Sequence, residues 1–140
     1  MNSEKRPASL WEPIKTDRKL VERALSIAKR DLETADRNLK DGDCDWAFAI
    51  AYNAMLQAGR ALMFSEGVRP RGEFKHVAVV EFVRQKSPGF AERLLDSFNR
   101  SRKRRHVVVY EQIDTVSKEE AERALAVAEE FVEKAEEMLR

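Results

Sequence analysis

The sequence predicts an all-α fold, an antiparallel up-and-down bundle of four long helices and one shorter helix, from three observations. Gly 5 and Pro 4 in 140 residues leave few turn-formers, which disfavours a many-stranded sandwich or barrel. Charged residues reach 36% while hydrophobic ones hold 43%, too apolar for a disordered polyelectrolyte and suited to long amphipathic helices. Apolar residues recur at three- and four-residue spacing along most of the chain. The length fits one domain, read as a flexible polar tail over 1–15 and a bundle over 16–140.

Each element has its own justification. Thr16 and Asp17 offer N-caps to a first helix whose buried stripe is Val21, Leu25, Ala28, Leu32, Ala35 and Leu39. Asp41-Gly42-Asp43 stops it and caps a second helix over about 43–66. That helix is apolar around most of its circumference, so it is expected at the centre, with Trp46, Tyr52 and Met55 in the core. Gly67 to Gly72 reads as a loop. A shorter helix over about 74–85 ends at Ser87-Pro88-Gly89, and a fourth runs over about 90–110. Ser117 and Glu120 fit a capping box at the start of the last helix, whose outer face is acidic.

The fourth helix breaks its own pattern. Its core stripe of Phe90, Leu94 and Phe98 continues onto Ser101, Arg105 and Val108, and a core stripe should not run into arginine. Residues 100–106 hold five cations, Arg100, Arg102, Lys103, Arg104 and Arg105, followed by His106. At about 100° per residue, Arg102, His106 and Tyr110 share a face. A solvated surface balancing the acidic last helix would look like this. So would a phosphate-binding strip beside an acid–base group, because a guanidinium donates paired hydrogen bonds and an imidazole moves protons near neutral pH.

A family resemblance adds to this reading. Residues Tyr52 to Met63, followed by Gly67-Val68-Arg69-Pro70, resemble the second helix and following loop of HEPN-domain proteins. Arg104-Arg105-His106-Val107-Val108-Val109-Tyr110 resembles the Arg-polar-x-x-x-His/Tyr signature of that family. The resemblance spans about residues 18–138. It implies an all-α bundle that dimerises through the face bearing the signature, and a metal-independent ribonuclease site in which Arg stabilises the phosphate and His transfers protons. It also implies, for many small members, a toxin encoded beside a minimal nucleotidyltransferase antitoxin. One register puts the family Arg on Arg105, the polar residue on His106 and the family His on Tyr110. A second uses Arg100 and His106. Arg102, Lys103, Arg104 and Arg60 are the candidate RNA contacts. The alternative function is a non-catalytic module that docks a partner protein.

Other bounds are brief. The single cysteine, Cys44, forms no intramolecular disulfide. Residues 1–13 lack an apolar run resembling a signal peptide, and the longest unbroken apolar stretch, Trp46 to Tyr52, falls far below the ~18 residues of a membrane span. The expectation is a cytoplasmic protein without membrane attachment. Glu73-x-x-His76 matches half of a di-iron ligand set, but His106 has Lys103 three residues before it, so no metal and no cofactor are expected. His76 is read as a residue that helps start the third helix. A net charge of +1 requires any nucleic-acid contact to use a local patch.

Overall fold

The computed structural model describes residues 9–111 and 113–140. The chain runs β1 (Trp11–Pro13), α1 (Arg18–Lys40), α2 (Cys44–Ser65), β2 (Val68–Pro70), α3 (Lys75–Lys86), α4 (Glu92–Tyr110) and α5 (Lys118–Leu139). The all-α bundle of four long helices and one shorter helix is therefore the observed architecture. To it the chain adds a two-stranded antiparallel sheet with Trp11 opposite Pro70 and Pro13 opposite Val68.

α2 packs against all four other helices. Its buried positions surround the helix rather than forming one stripe, as its composition demands. Tyr52, Phe98, Phe131 and Phe90 link α2, α4 and α5 through ring contacts, with centroid distances of 5.8, 4.9 and 4.6 Å in that order. Gly59 lets α2 approach α3, because a Cβ there would lie 2.4 Å from Val79 Cγ1. The α1 seam is rotated from the predicted stripe. Ala24 and Asp31 are buried alongside Val21, Ala28 and Ala35, while Leu25, Leu32 and Leu39 pack partly exposed at the border. Asp31 is tolerated in the seam because Asn53 Nδ2 donates to its Oδ2 at 2.7 Å.

Three details depart from the sequence reading. First, the second half of the tail and the Gly67–Gly72 loop pair with each other. Ile14 N donates to Gly67 O at 2.8 Å and Arg71 N to Leu10 O at 2.9 Å. The Trp11 ring stands edge-on to Phe82 at 5.3 Å, and burying this indole gives the short strand a reason to form. Residues 1–8 of the expected tail lie outside the described residues. Second, Trp46 is 55% exposed. It sits in the first turn of α2, where Ala47 and Phe48 face the core instead. Third, the capping box is half formed. Ser117 Oγ accepts from Glu120 N at 3.0 Å, but the Glu120 carboxylate turns to Arg104.

Candidate functional site

The cationic half of α4 divides between two faces. Leu94, Leu95, Phe98 and Val108 hold α4 to the core, while Ser101 and Arg105 are only half-buried. The seam therefore opens where the arginine interrupts the stripe. There Arg102, Lys103, Arg105, His106 and Tyr110 line an open cleft of about 950 Å³ against residues 72–77, the connection from β2 into α3. Arg102 is held by Asn99, whose Oδ1 accepts from its Nε at 3.2 Å and its Nη2 at 3.1 Å. The rings of His106 and Tyr110 lie 5.1 Å apart. His106 Nε2 is 3.6 Å from Glu111 Oε2, an ion pair when the imidazole is protonated.

Arg100 and Arg104 belong to the other face. Both line a smaller hollow toward α5, with Ser97, Glu120 and Arg123. Arg104 Nε donates to Glu120 Oε2 at 2.8 Å, and Arg104 Nη2 donates to Glu120 Oε1 at 3.1 Å and to Thr115 O at 3.0 Å. Arg104, expected among the RNA contacts, is thus a clasp between α4 and α5. Arg100 Nη2 lies 3.2 Å from Ser97 Oγ. It stands six positions before His106, about 240° around a helix, and the pair does not share a cleft. Arg105, His106 and Tyr110 do.

The opposite wall supplies a residue that the sequence reading left out of the site. His76, in the first turn of α3, lines the same cleft as His106. Its Nδ1 lies 2.9 Å from the hydroxyl of Tyr52, a residue 1% exposed at the centre of α2. Burial pushes the Tyr52 phenol above its ordinary range, outweighing the opposing fields of Arg102 and Arg105, so the hydroxyl stays protonated. Burial first, and then Arg105, Arg102 and Arg60, push His76 below its usual value of 6.5. The imidazole is neutral at pH 7. No local motif announces this pair, since 24 positions separate its members. The usable signal was the scarcity of histidine, two in the chain.

Arg60 points elsewhere. It lines a second cleft, of about 660 Å³, between α2, α3 and the β1–β2 sheet. Its guanidinium carbon lies 5.5 Å from the Phe64 ring centroid, and its buried Nε has no hydrogen-bond partner among the described residues.

No curated protein matches the sequence. A solved structure, TT1696 from Thermus thermophilus, superposes with a TM-score of 0.68 at 20% identity, covering 84% of this chain and 96% of that one. At that identity the likeness concerns the fold. The HEPN domain family model matches residues 21–138, almost the whole bundle. The chain belongs to the HEPN domain family.

Proposed function

We propose that this protein binds single-stranded RNA in the cleft between α3 and α4 and cleaves it through the ribose 2′-hydroxyl, acting as a metal-independent endoribonuclease. The observation that carries this reading is that both histidines of the chain line one cleft together with Arg102 and Arg105. Cleavage needs a base for the 2′-hydroxyl, an acid for the leaving 5′-oxygen and positive charge around the phosphorane. His76 is kept neutral, and the tautomer whose Nδ1–H donates to Tyr52 leaves Nε2 free to take the 2′-hydroxyl proton. The 2′-oxygen then bonds to phosphorus as the P–O5′ bond breaks. His106, whose Nε2 lies 3.6 Å from Glu111 Oε2, acts as the acid that gives a proton to the departing 5′-oxygen. The products are a 2′,3′-cyclic phosphate and a 5′-hydroxyl. Tyr110 lines the cleft as a phosphate contact, since a phenol is a poor base at neutral pH.

Cleavage of a labelled single-stranded RNA in EDTA tests this directly. Wild type is expected to cut, with His76→Ala and His106→Ala each slower by roughly 10²- to 10⁴-fold and Arg105→Ala by roughly 10²-fold or more. Tyr110→Phe should stay within about tenfold of wild type, the scale of one hydrogen bond. Equal rates in wild type and all three alanine variants would remove the site.

One observation favours a second reading, the non-catalytic module. Trp46 and Ile113, on segments joined by hydrogen bonds from Asp114 N and Val116 N to Asp45, are 55% and 77% exposed, bare apolar side chains suited to a protein partner. The nucleotidyltransferase antitoxin type of partner suggested by the family would be one such protein. Wild type that cleaves no RNA and binds none at low salt favours this module.

A further inference from the structure

The cleft holding Arg60 adjoins the catalytic cleft. The two share Gly72, Lys75 and His76, so a ligand lying over His76 reaches both. On the Arg60 side the walls are part apolar, with Leu56, Phe64 and Val79, and part cationic, with Arg60, Arg69, Arg71 and Lys75. Positive charge there exceeds its compensation. Glu12 serves Arg69 at 2.7 Å and reaches Arg71 at only 4.0 Å. Arg60 and Lys75 have no ion-pair partner among the described residues.

Arg60 is the unusual member of this set. It projects from a helix that is otherwise buried nearly all round, at the position after the Gly59 close contact. Its Nε is covered by the protein with no acceptor among the described residues, a state that folded proteins rarely leave uncompensated. An anion in the cleft would accept from the terminal nitrogens of this guanidinium, which lines the cleft, with charge-assisted bonds. The apolar wall would take a base or sugar beside it.

We infer that the α2–β2–α3 cleft is a second phosphate subsite. It holds the stretch of the same RNA strand that continues past His76, with the half-buried Arg60 as its anchor and Arg71 and Lys75 at its mouth. This rests on the RNA reading for the identity of the ligand and not for the presence of an anion site. It also gives Lys75 and His76 a joint role, since the strand crosses them between subsites.

Two measurements separate the parts. In the first, ¹⁵N-labelled protein is titrated with inorganic pyrophosphate while the Arg60 Nε–Hε resonance, assigned by its loss in Arg60→Lys, is followed. The titration is repeated in an Arg102→Ala/Arg105→Ala background. The resonance is expected to move in both, and an unmoved resonance overturns the subsite. In the second, single-stranded octanucleotide affinity is measured against salt for wild type, Arg60→Gln and Arg71→Gln, with Arg105→Ala as the control for the first cleft. Arg71 is exposed, so its variant keeps the test valid if Arg60→Gln fails to fold. Each variant is expected to lose about tenfold in affinity and about 0.7 in the log–log salt slope. Unchanged affinity and slope, with Arg105→Ala still impaired, overturn the second subsite while the RNA reading stands. Pyrophosphate binding at Arg60 without any RNA binding leaves the anion site standing and removes RNA as its ligand.

Discussion

Burial holds the imidazole of His76 below its ordinary range, and Arg105, Arg102 and Arg60 act in the same direction. The sign of the resulting stability effect follows from proton uptake. As pH falls below about 6.5, the unfolded chain protonates His76 before the folded chain does. Stability is therefore insensitive to this group above that pH and is lost progressively below it, down through the lowered folded value. His76→Gln abolishes the titration while keeping a polar group opposite the Tyr52 hydroxyl. Urea unfolding at about pH 7.5 and about pH 5 should show a smaller acid-side loss in His76→Gln than in wild type, and equal losses would separate His76 from the effect. The same residue shows where reading the sequence stopped. Its partner Tyr52 falls in helical register with Met55 and reads as plain core, which it also is at 1% exposure. That one polar atom of a core side chain meets a residue lining the cleft depends on how α3 is set against α2, and no periodicity encodes this.

A single helix, α4, carries most of the functional signal, and the sequence reading found it through a broken stripe. The interruption at Arg105 was informative because burying an unpaired guanidinium is costly, so the seam had to open there. What the pattern could not sort was which cations face the opening. Arg104 and Arg105 are neighbours in the chain, yet one is clasped by Glu120 at 2.8 Å and the other lines the cleft beside His76. Helical geometry separates adjacent residues by about 100°, but assigning faces requires knowing where α5 lies. The two arginines should therefore part company in experiment. Arg104→Ala is expected to cost about 1 kcal/mol of stability, read by urea unfolding, and to leave RNA affinity unchanged. Arg105→Ala should do the reverse, weakening RNA binding with little change in unfolding midpoint. If Arg104→Ala weakens RNA binding as much as Arg105→Ala does, the division of α4 into two faces has no functional meaning.

For the whole molecule, composition and periodicity were enough to predict the bundle, because a two-turn apolar stripe leaves a helix few ways to be buried. The family model over residues 21–138 agrees with that architecture. The small sheet escaped notice because three-residue strands are too short to show alternation, and Trp11 anchors one of them from within a polar segment. Assembly is a separate question, and it turns on the end of the bundle where α2 begins. Asp45 accepts from Asp114 N at 2.6 Å and from Val116 N at 3.2 Å, tying the start of α2 to the segment after α4. Trp46, Tyr110 and Ile113 therefore stand exposed at one end of the fold. A homodimer through this end would cover Trp46 and Ile113 and bring a second copy of the α3–α4 cleft nearby. Light scattering after gel filtration should give wild type twice the 16.2 kDa of one chain. Trp46→Glu combined with Ile113→Glu should give the single-chain mass, since neither residue lines the cleft, with helical content kept by circular dichroism. If wild type runs at the single-chain mass at every concentration tested, the exposed end is not a homodimer interface. Cleavage by such a monomer would then place both histidines of the reaction within one chain.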